Sequence, residues 1–283
     1  MMKDLYTFDM DMRKATTTYD TVLDAYSNLF DRIGVPWKMV DGDCGDIGGI
    51  KSHEFHFPAE IGQDSLLVCS QCKAGMNVEI DNTTNLGICE ECGGPMISSK
   101  GIEVAHAFLL SDTYTSKLQA TYKGADKNTN FLQMGCYGIG VSRLIGACVE
   151  VLSTRQELRW PNLFVPFSAC VICPKAGSRE ESVMPFVHEL YDTLVGQKGI
   201  FHDDVVLDDR DNATVGRKLR DAYKMGYSYI ILFGKESIDE SNPLIELHRP
   251  TLVSNEGYMK HPVIKVPFAD INSVLCDMLK STS

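Results

Sequence analysis

Apolar side chains at Tyr19, Val22, Leu23, Tyr26, Leu29, Phe30 and Ile33 recur at steps of one, three and four residues. That spacing lines one face of a helix, so the segment predicts a helix packed on a sheet and ended by Gly34 and Pro36. Beyond it the rhythm shortens. Trp37 to Val40 and His53 to Phe57 read as strands around a glycine-bearing turn from Cys44 to Gly49, and Ile102 to Leu110 reads as another strand. A further strand ends in Cys136, and a helix over residues 141–152 closes the first domain. Trp160, Pro161 and Pro166 then mark an extended connector, because proline and the residue before it disfavour helix. The expected division is 1–160 and 161–283.

In the second part, Ala169 to Cys173, a helix around 179–195, Val205 to Leu207, a helix from Gly216 to Met225, and Tyr229 to Phe233 alternate as strand, helix, strand, helix, strand. Such alternation predicts an α/β domain with a mostly parallel sheet flanked by helices. The tail from Val263 adds a strand and a closing helix.

Composition narrows the class. A chain of 283 residues with 44% hydrophobic content can build two domains, each with its own core. It contains no uninterrupted apolar run of about twenty residues, so no membrane partner is expected, and no secretory signal is visible at the N-terminus. A formal net charge of -11 argues against a surface that coats nucleic acid at large. It leaves room for a local basic patch, for which Arg210, Arg217, Lys218, Arg220 and Lys224 are candidates, although charges at helical spacing also suit a solvated face.

Candidate chemistry is concentrated in two places. In Met134-Gly135-Cys136-Tyr137-Gly138-Ile139-Gly140-Val141-Ser142-Arg143, glycines alternate with apolar residues along a strand, and an arginine follows just inside a helix. Glycine leaves room for a flat ligand against the strand, and the strand-to-helix turn aims the Arg143 guanidinium at phosphate, an arrangement suited to ATP; such turns also occur for close packing alone. Ten cysteines could indicate a secreted disulfide framework, but four are in CxxC pairs and a reducing compartment fits better. Cys69-Ser70-Gln71-Cys72 and Cys89-Glu90-Glu91-Cys92 enclose sixteen residues, the spacing of a zinc ribbon in an insert at about 66–98. Four thiolates fill a tetrahedral ion, so the zinc would be structural; the alternative is unmetallated thiols packed as small hydrophobes.

Four segments in a fixed order carry a resemblance. Met2-Lys3-Asp4-Leu5-Tyr6-Thr7-Phe8-Asp9, Ser52-His53-Glu54-Phe55, Gly101-Ile102-Glu103-Val104-Ala105-His106 and the glycine run, with Leu207-Asp208-Asp209-Arg210 and Gly216 in the last third, resemble the prolyl-tRNA synthetases, specifically the mitochondrial form of the bacterial-type enzyme. The resemblance implies an α+β catalytic domain on an incomplete antiparallel class II sheet, followed by an α/β anticodon-binding domain. It implies ATP-dependent activation of proline to prolyl-adenylate and transfer to tRNA(Pro) in mitochondrial translation, with ATP and Mg2+ as cofactors, a homodimer for the full-length protein, and residence in the mitochondrial matrix. Glu103, His106, Gly138, Gly140 and Arg143 are then the ATP contacts, with Arg143 also the catalytic residue. Asp4, Phe108, Cys136 and Tyr137 surround proline, and Asp208, Asp209, Arg210 and Lys218 meet the tRNA, with Gly216 permitting close approach.

Departures from the family pattern carry expectations too. The chain begins inside motif 2, so motif 1 and the motif 2 arginine are expected to be missing by truncation. Between Phe55 and Gly101, where relatives commonly carry a large editing domain, only the ribbon is expected. Ala105 stands where relatives tend to have glycine beside the histidine. The rival reading is a non-catalytic, synthetase-like tRNA-binding or accessory protein.

Overall fold

The structure, a computed structural model, describes residues 1–72, 74–78, 87–124, 127–196, 201–239, 241–253 and 258–280. Contacts divide the chain into Met1–Val151 and Leu152–Ser283. The division falls before the expected residue 160, because the connector is fastened to the second unit: Leu158 N–H donates to Lys224 O at 3.2 Å, Arg159 Nη1 to Tyr227 O at 2.9 Å and Trp160 Nε1 to Met225 O at 3.1 Å.

In the first unit, helix α1 (Met12–Ile33) starts at Asp11, whose carboxylate accepts the Lys14 N–H at 2.8 Å. It stops at Gly34, which takes φ 77°, a left-handed conformation that glycine adopts without a Cβ penalty. Its buried stripe, including Tyr19, Tyr26, Phe30 and Ile33, lies against a seven-stranded sheet. The strands are β1 (Lys3–Asp9), β2 (Lys38–Asp41), β3 (Lys51–Pro58), β4 (Asp64–Cys69), β5 (Gly75–Asn77), β6 (Met96–Ser111) and, after a small hairpin of β7 (Thr121–Lys123) and β8 (Thr129–Phe131), β9 (Gln133–Ile139). Their order is β1-β9-β6-β3-β2-β5-β4, all antiparallel except the contact of β2 with β5.

Strand β6 is longer than the apolar stretch expected from Ile102, and its first half pairs with β4. The four-cysteine segment is thereby rooted in the seven-stranded sheet, with Cys69 as the last residue of β4. Successive residues of β3 point to opposite faces. Phe55 meets Tyr26 and Phe30 of α1 with ring centroids 5.6 and 5.2 Å apart, while Ser52, Glu54 and His56 serve the other face. Helix α2 (Val141–Leu152) follows β9.

The second unit is a five-stranded sheet in the order β11-β10-β12-β13-β16, with β10 (Ala169–Ile172), β11 (Val205–Asp208), β12 (Tyr229–Phe233), β13 (Leu244–His248) and β16 (Val263–Pro267). A hairpin of β14 (Thr251–Val253) and β15 (Tyr258–Lys260) stands apart from it. Helices α3 (Met184–Val195) and α5 (Ile271–Lys280) pack on one face through Val187, Leu190, Leu194, Ile271 and Leu275, and α4 (Val215–Met225) covers the other through Ala222. The expected mostly parallel sheet is mixed: β11, β10 and β12 are parallel, whereas β13 and β16 run antiparallel. Strand β13 lies between Pro243 and Pro250, and Glu246 interrupts its apolar pattern, which hides it from periodicity.

Candidate active site

Strand alternation decides what faces the cavity of the first unit. On β9, Cys136 and Gly138 face it, whereas Gly135 and Tyr137 turn to α1. A Cβ on Gly135 would lie 2.2 Å from the Tyr137 hydroxyl oxygen, so this glycine serves core packing, while at Gly138 the nearest atom is Asp4 Oδ1 at 3.5 Å. On β1, Asp4 and Tyr6 face the cavity, and Lys3 turns back to donate to the Tyr26 hydroxyl at 3.1 Å. On β6 the pairing with β3 passes from Phe55–Ala105 to His56–Glu103, leaving Val104 as the extra residue of a bulge. The bulge resets the alternation, so Glu103 shares a face with His106 and Phe108. With Gly140, Ser142 and Arg143 at the start of α2, these residues line a cavity of about 460 Å³, a size suited to a small-molecule ligand.

A hydrogen-bond chain runs along the wall. Ser52 Oγ lies 2.5 Å from His106 Nε2, His106 Nδ1 lies 3.0 Å from Glu103 Oε1, and Arg143 Nη1 donates to Glu103 O at 3.2 Å while lying 3.7 Å from Glu103 Oε2. The His106 ring stacks on Phe108 at 3.9 Å. The hydrogen bond from His106 holds the Glu103 carboxyl below the usual range, with burial opposing and Arg143 assisting. Burial pushes the Cys136 thiol up, so the cavity presents it as a neutral, polarisable wall. Ser52 is absent from the site residues read from sequence. Its motif was visible, but only pairing of β3 with β6 brings the hydroxyl to His106.

The four cysteines form a second centre, with every pair of sulfurs within 4.8 Å. Cys69 Sγ lies 3.4 Å from Cys92 Sγ, and Cys72 Sγ lies 3.7 Å from Cys89 Sγ. Sulfurs placed tetrahedrally at the usual zinc–sulfur distance are about 3.8 Å apart, so this set fits zinc. N–H groups of Gln71 and Cys72 point at Cys69 Sγ at 3.3 Å and hold its pKa down, which suits a thiolate ligand. Lys38 Nζ donates to Cys69 O at 2.8 Å and Cys72 O at 2.6 Å, fixing the first knuckle to β2.

In the second unit, Arg210 donates from Nε and Nη2 to the two oxygens of Asp208 at 2.9 and 2.8 Å, and from Nη1 to Asp221 at 2.9 Å. Asp208, Asp209 and Arg210 border a cavity of about 500 Å³ with Asp221 and Tyr227.

Comparison with known proteins identifies the family. Residues 1–152 match the tRNA synthetase class II core domain (G, H, P, S and T). The chain belongs to the class II tRNA synthetases. Residues 168–248 match the anticodon binding domain, the second part expected of such a synthetase. A mouse protein named "Probable proline--tRNA ligase, mitochondrial" is 44% identical over 84% of this chain and 50% of its own length, and the human protein of the same name is 41% identical over the same shares. The "Proline--tRNA ligase" of Ehrlichia chaffeensis is 31% identical over 92% of this chain and 62% of its own length. The chain thus spans about half the length of the mammalian relatives it matches. In fold it resembles the crystal structure of prolyl-tRNA synthetase from Cryptosporidium parvum complexed with L-proline and AMP, with a TM-score of 0.70 and 14% identity, covering 99% of this chain and 50% of that one.

Two residues assigned to the synthetase's sites from sequence stand elsewhere. Tyr137 is fully buried on the α1 face, its hydroxyl 3.3 Å from Thr7 Oγ1, because neighbouring strand residues cannot both line the cavity that Cys136 lines. Tyr137→Phe is therefore expected to leave the cavity that Cys136 lines unaltered and to cost about 0.5–1.5 kcal/mol of stability, read by denaturant unfolding. Lys218 is also fully buried, its Nζ donating to Cys173 O at 3.1 Å and Asp208 O at 3.2 Å, so it ties the ends of β10 and β11 instead of meeting RNA. Lys218→Met should take the Nζ donor from Cys173 O while Asp208 O keeps the Cys173 N–H at 3.1 Å, and should cost roughly 1–3 kcal/mol in the same measurement, without changing the salt dependence of RNA binding.

The chain should also lose stability in acid. Burial lowers the pKa of His53, whose ring lies 2.7 Å from the Tyr19 hydroxyl and 3.2 Å from Asp41 Oδ1; His248 is lowered by burial in the second unit. Below about pH 6.5 the unfolded chain takes up these protons before the folded chain does, so stability falls with pH. Glu103, shifted downward, adds a further loss as pH drops through its folded value, below about 4.3. Melting temperatures from pH 7.5 down to about 3 should fall in these two stages, and His53→Gln should flatten the upper one.

Proposed function

We propose that the chain serves proline–tRNA ligation in mitochondria: ATP-dependent activation of proline, then transfer of the prolyl group to tRNA(Pro). The observation that carries the reading is one cavity in which Asp4, the His106–Glu103 pair and Arg143 converge on a floor opened by Gly138. Similarity to proteins named proline--tRNA ligases supports proline as the amino acid.

In the first half-reaction a proline carboxylate oxygen attacks the α-phosphorus of ATP and the bond to pyrophosphate breaks. In the second, a terminal ribose hydroxyl of tRNA attacks the prolyl carbonyl and AMP leaves. Both reactants bring their own reacting groups, so the protein's task is positioning and charge neutralisation. Arg143 takes a phosphate, Glu103 and His106 orient the nucleotide, Asp4 meets the imino nitrogen, and Phe108 and Cys136 enclose the ring. ATP would arrive as its magnesium complex. Zinc on Cys69, Cys72, Cys89 and Cys92 would be structural. Arg210 keeps two of its five N–H donors for a nucleobase, and Asp209 lies beside it. The working assembly is a homodimer of the whole protein in the mitochondrial matrix.

The test is exchange of labelled pyrophosphate into ATP with proline, alanine or cysteine, run on this chain and on a chain extended to the length of its relatives. Proline-selective exchange in either supports the reading. Folded protein that binds tRNA yet exchanges with no amino acid would replace it with a non-catalytic tRNA-binding role.

A further inference from the structure

Away from Asp208 and Arg210, the second unit holds a cavity of about 240 Å³ lined by Arg159, Trp160, Asn162, Ser228 and Arg249, among others. Ser228 and Tyr229 place it at the start of β12, whereas Asp208 ends the parallel strand β11. Asp208 is thus about 10 Å of strand from Tyr229, while the cavity beside Arg210 extends along α4 to Met225 and Tyr227, whose carbonyls Trp160 and Arg159 hold.

Two guanidinium groups share this cavity. Arg159 is anchored from behind, Nη1 donating to Tyr227 O at 2.9 Å and Gly226 O at 3.4 Å. Burial opposes its charge, Glu157 supports it, and the neighbouring Arg249 opposes it again. Glu157 is itself engaged by His261 Nε2 at 2.8 Å. Among the described residues, no carboxylate lies within ion-pair distance of Arg249. A half-buried cation pair whose one supporting carboxylate, Glu157, is shared with His261 is costly in isolation and becomes favourable when an anion bridges it. In a chain of net charge -11, such a pair is a local exception. Ser228 and Asn162 add neutral polar groups, and Trp160, whose Nε1 is fixed on Met225 O at 3.1 Å, contributes an aromatic wall.

We propose that this cavity binds a phosphate group of an RNA backbone, with the nucleobase beside it against Trp160. It would be a second RNA contact, at the start of β12, beside the cavity that Asp208 and Arg210 border. Guanidinium groups fork onto phosphate oxygens, and an indole face accepts any base, so the contact would be insensitive to sequence.

The test measures anisotropy of a short, labelled, single-stranded oligoribonucleotide with the full chain over a salt series, and competition by inorganic phosphate and AMP. Arg249→Ala should weaken binding about tenfold at low salt and lower the slope of log affinity against log salt by roughly 0.7–1, whereas Arg249→Lys should keep the slope. Trp160→Leu should weaken binding without changing the slope. Circular dichroism melting checks that each variant is folded. Absence of RNA binding by the unchanged chain, or an unchanged slope in folded Arg249→Ala, would overturn the proposal. Equal competition by inorganic phosphate, per phosphate group, would overturn the assignment to RNA. No aminoacylation enters the measurement, so its outcome is independent of whether the chain ligates proline.

Discussion

Arg143→Ala is expected to lower proline-dependent pyrophosphate exchange by about 10²–10³-fold, the usual cost of removing one preorganised donor from a site where charge develops. The guanidinium is about 60% exposed at the cavity mouth, in the first turn of α2, where the helix N-terminus also favours an anion. Among the described residues its guanidinium makes one hydrogen bond, to Glu103 O, which leaves most of its donors for phosphate. The substitution should therefore spare the fold, and an unchanged melting temperature is part of the prediction. Arg143→Lys keeps the charge but loses the fork, so it should recover only part of the rate. If kcat falls and KM for ATP is unchanged, the contact belongs to the transition state; if KM alone rises, it belongs to binding. Full exchange activity in Arg143→Ala would remove this residue from the mechanism and return its glycines to the packing role that Gly135 already has.

What could be read beforehand follows the range of the interactions involved. The α1 stripe was legible because Tyr19, Tyr26, Phe30 and Ile33 recur at the period of the helix that buries them. The start of α2 at Val141 and the span of β12 were legible for similar local reasons. The side facing the cavity was harder. Glu103 and His106, three residues apart, would fall on opposite faces of a regular strand, and only the bulge at Val104 unites them; nothing in Glu103-Val104-Ala105-His106 announces a bulge. Alternation alone could have divided Cys136 from Tyr137. Lys218 was misleading for another reason: its partners, the carbonyls of Cys173 and Asp208, come from two strands that neighbour each other only in the folded sheet.

A strong chelator should have the second large effect. The purified chain is expected to hold one zinc, and a strong chelator or Cys89→Ser should unfold the segment between β4 and β6. Structural zinc in small finger peptides contributes about 10–16 kcal/mol of apparent binding free energy, so an insert with so little core cannot replace it. Val40, Leu66 and Val68 form a small apolar cluster that belongs to the sheet. Because Lys38 holds the carbonyls of Cys69 and Cys72, and β4 pairs with β6, loss of zinc should be transmitted to the strand that carries Glu103 and His106. Hydrogen exchange should report this as faster exchange first at residues 66–72 and 87–96, then along the first half of β6, with α1 and the second unit unchanged. Exchange activity should fall with the same metal dependence. Protein that contains no zinc by elemental analysis, and melts identically with and without chelator, would leave the four thiols as packed side chains and the ribbon as a fold sustained by its pairing to the sheet.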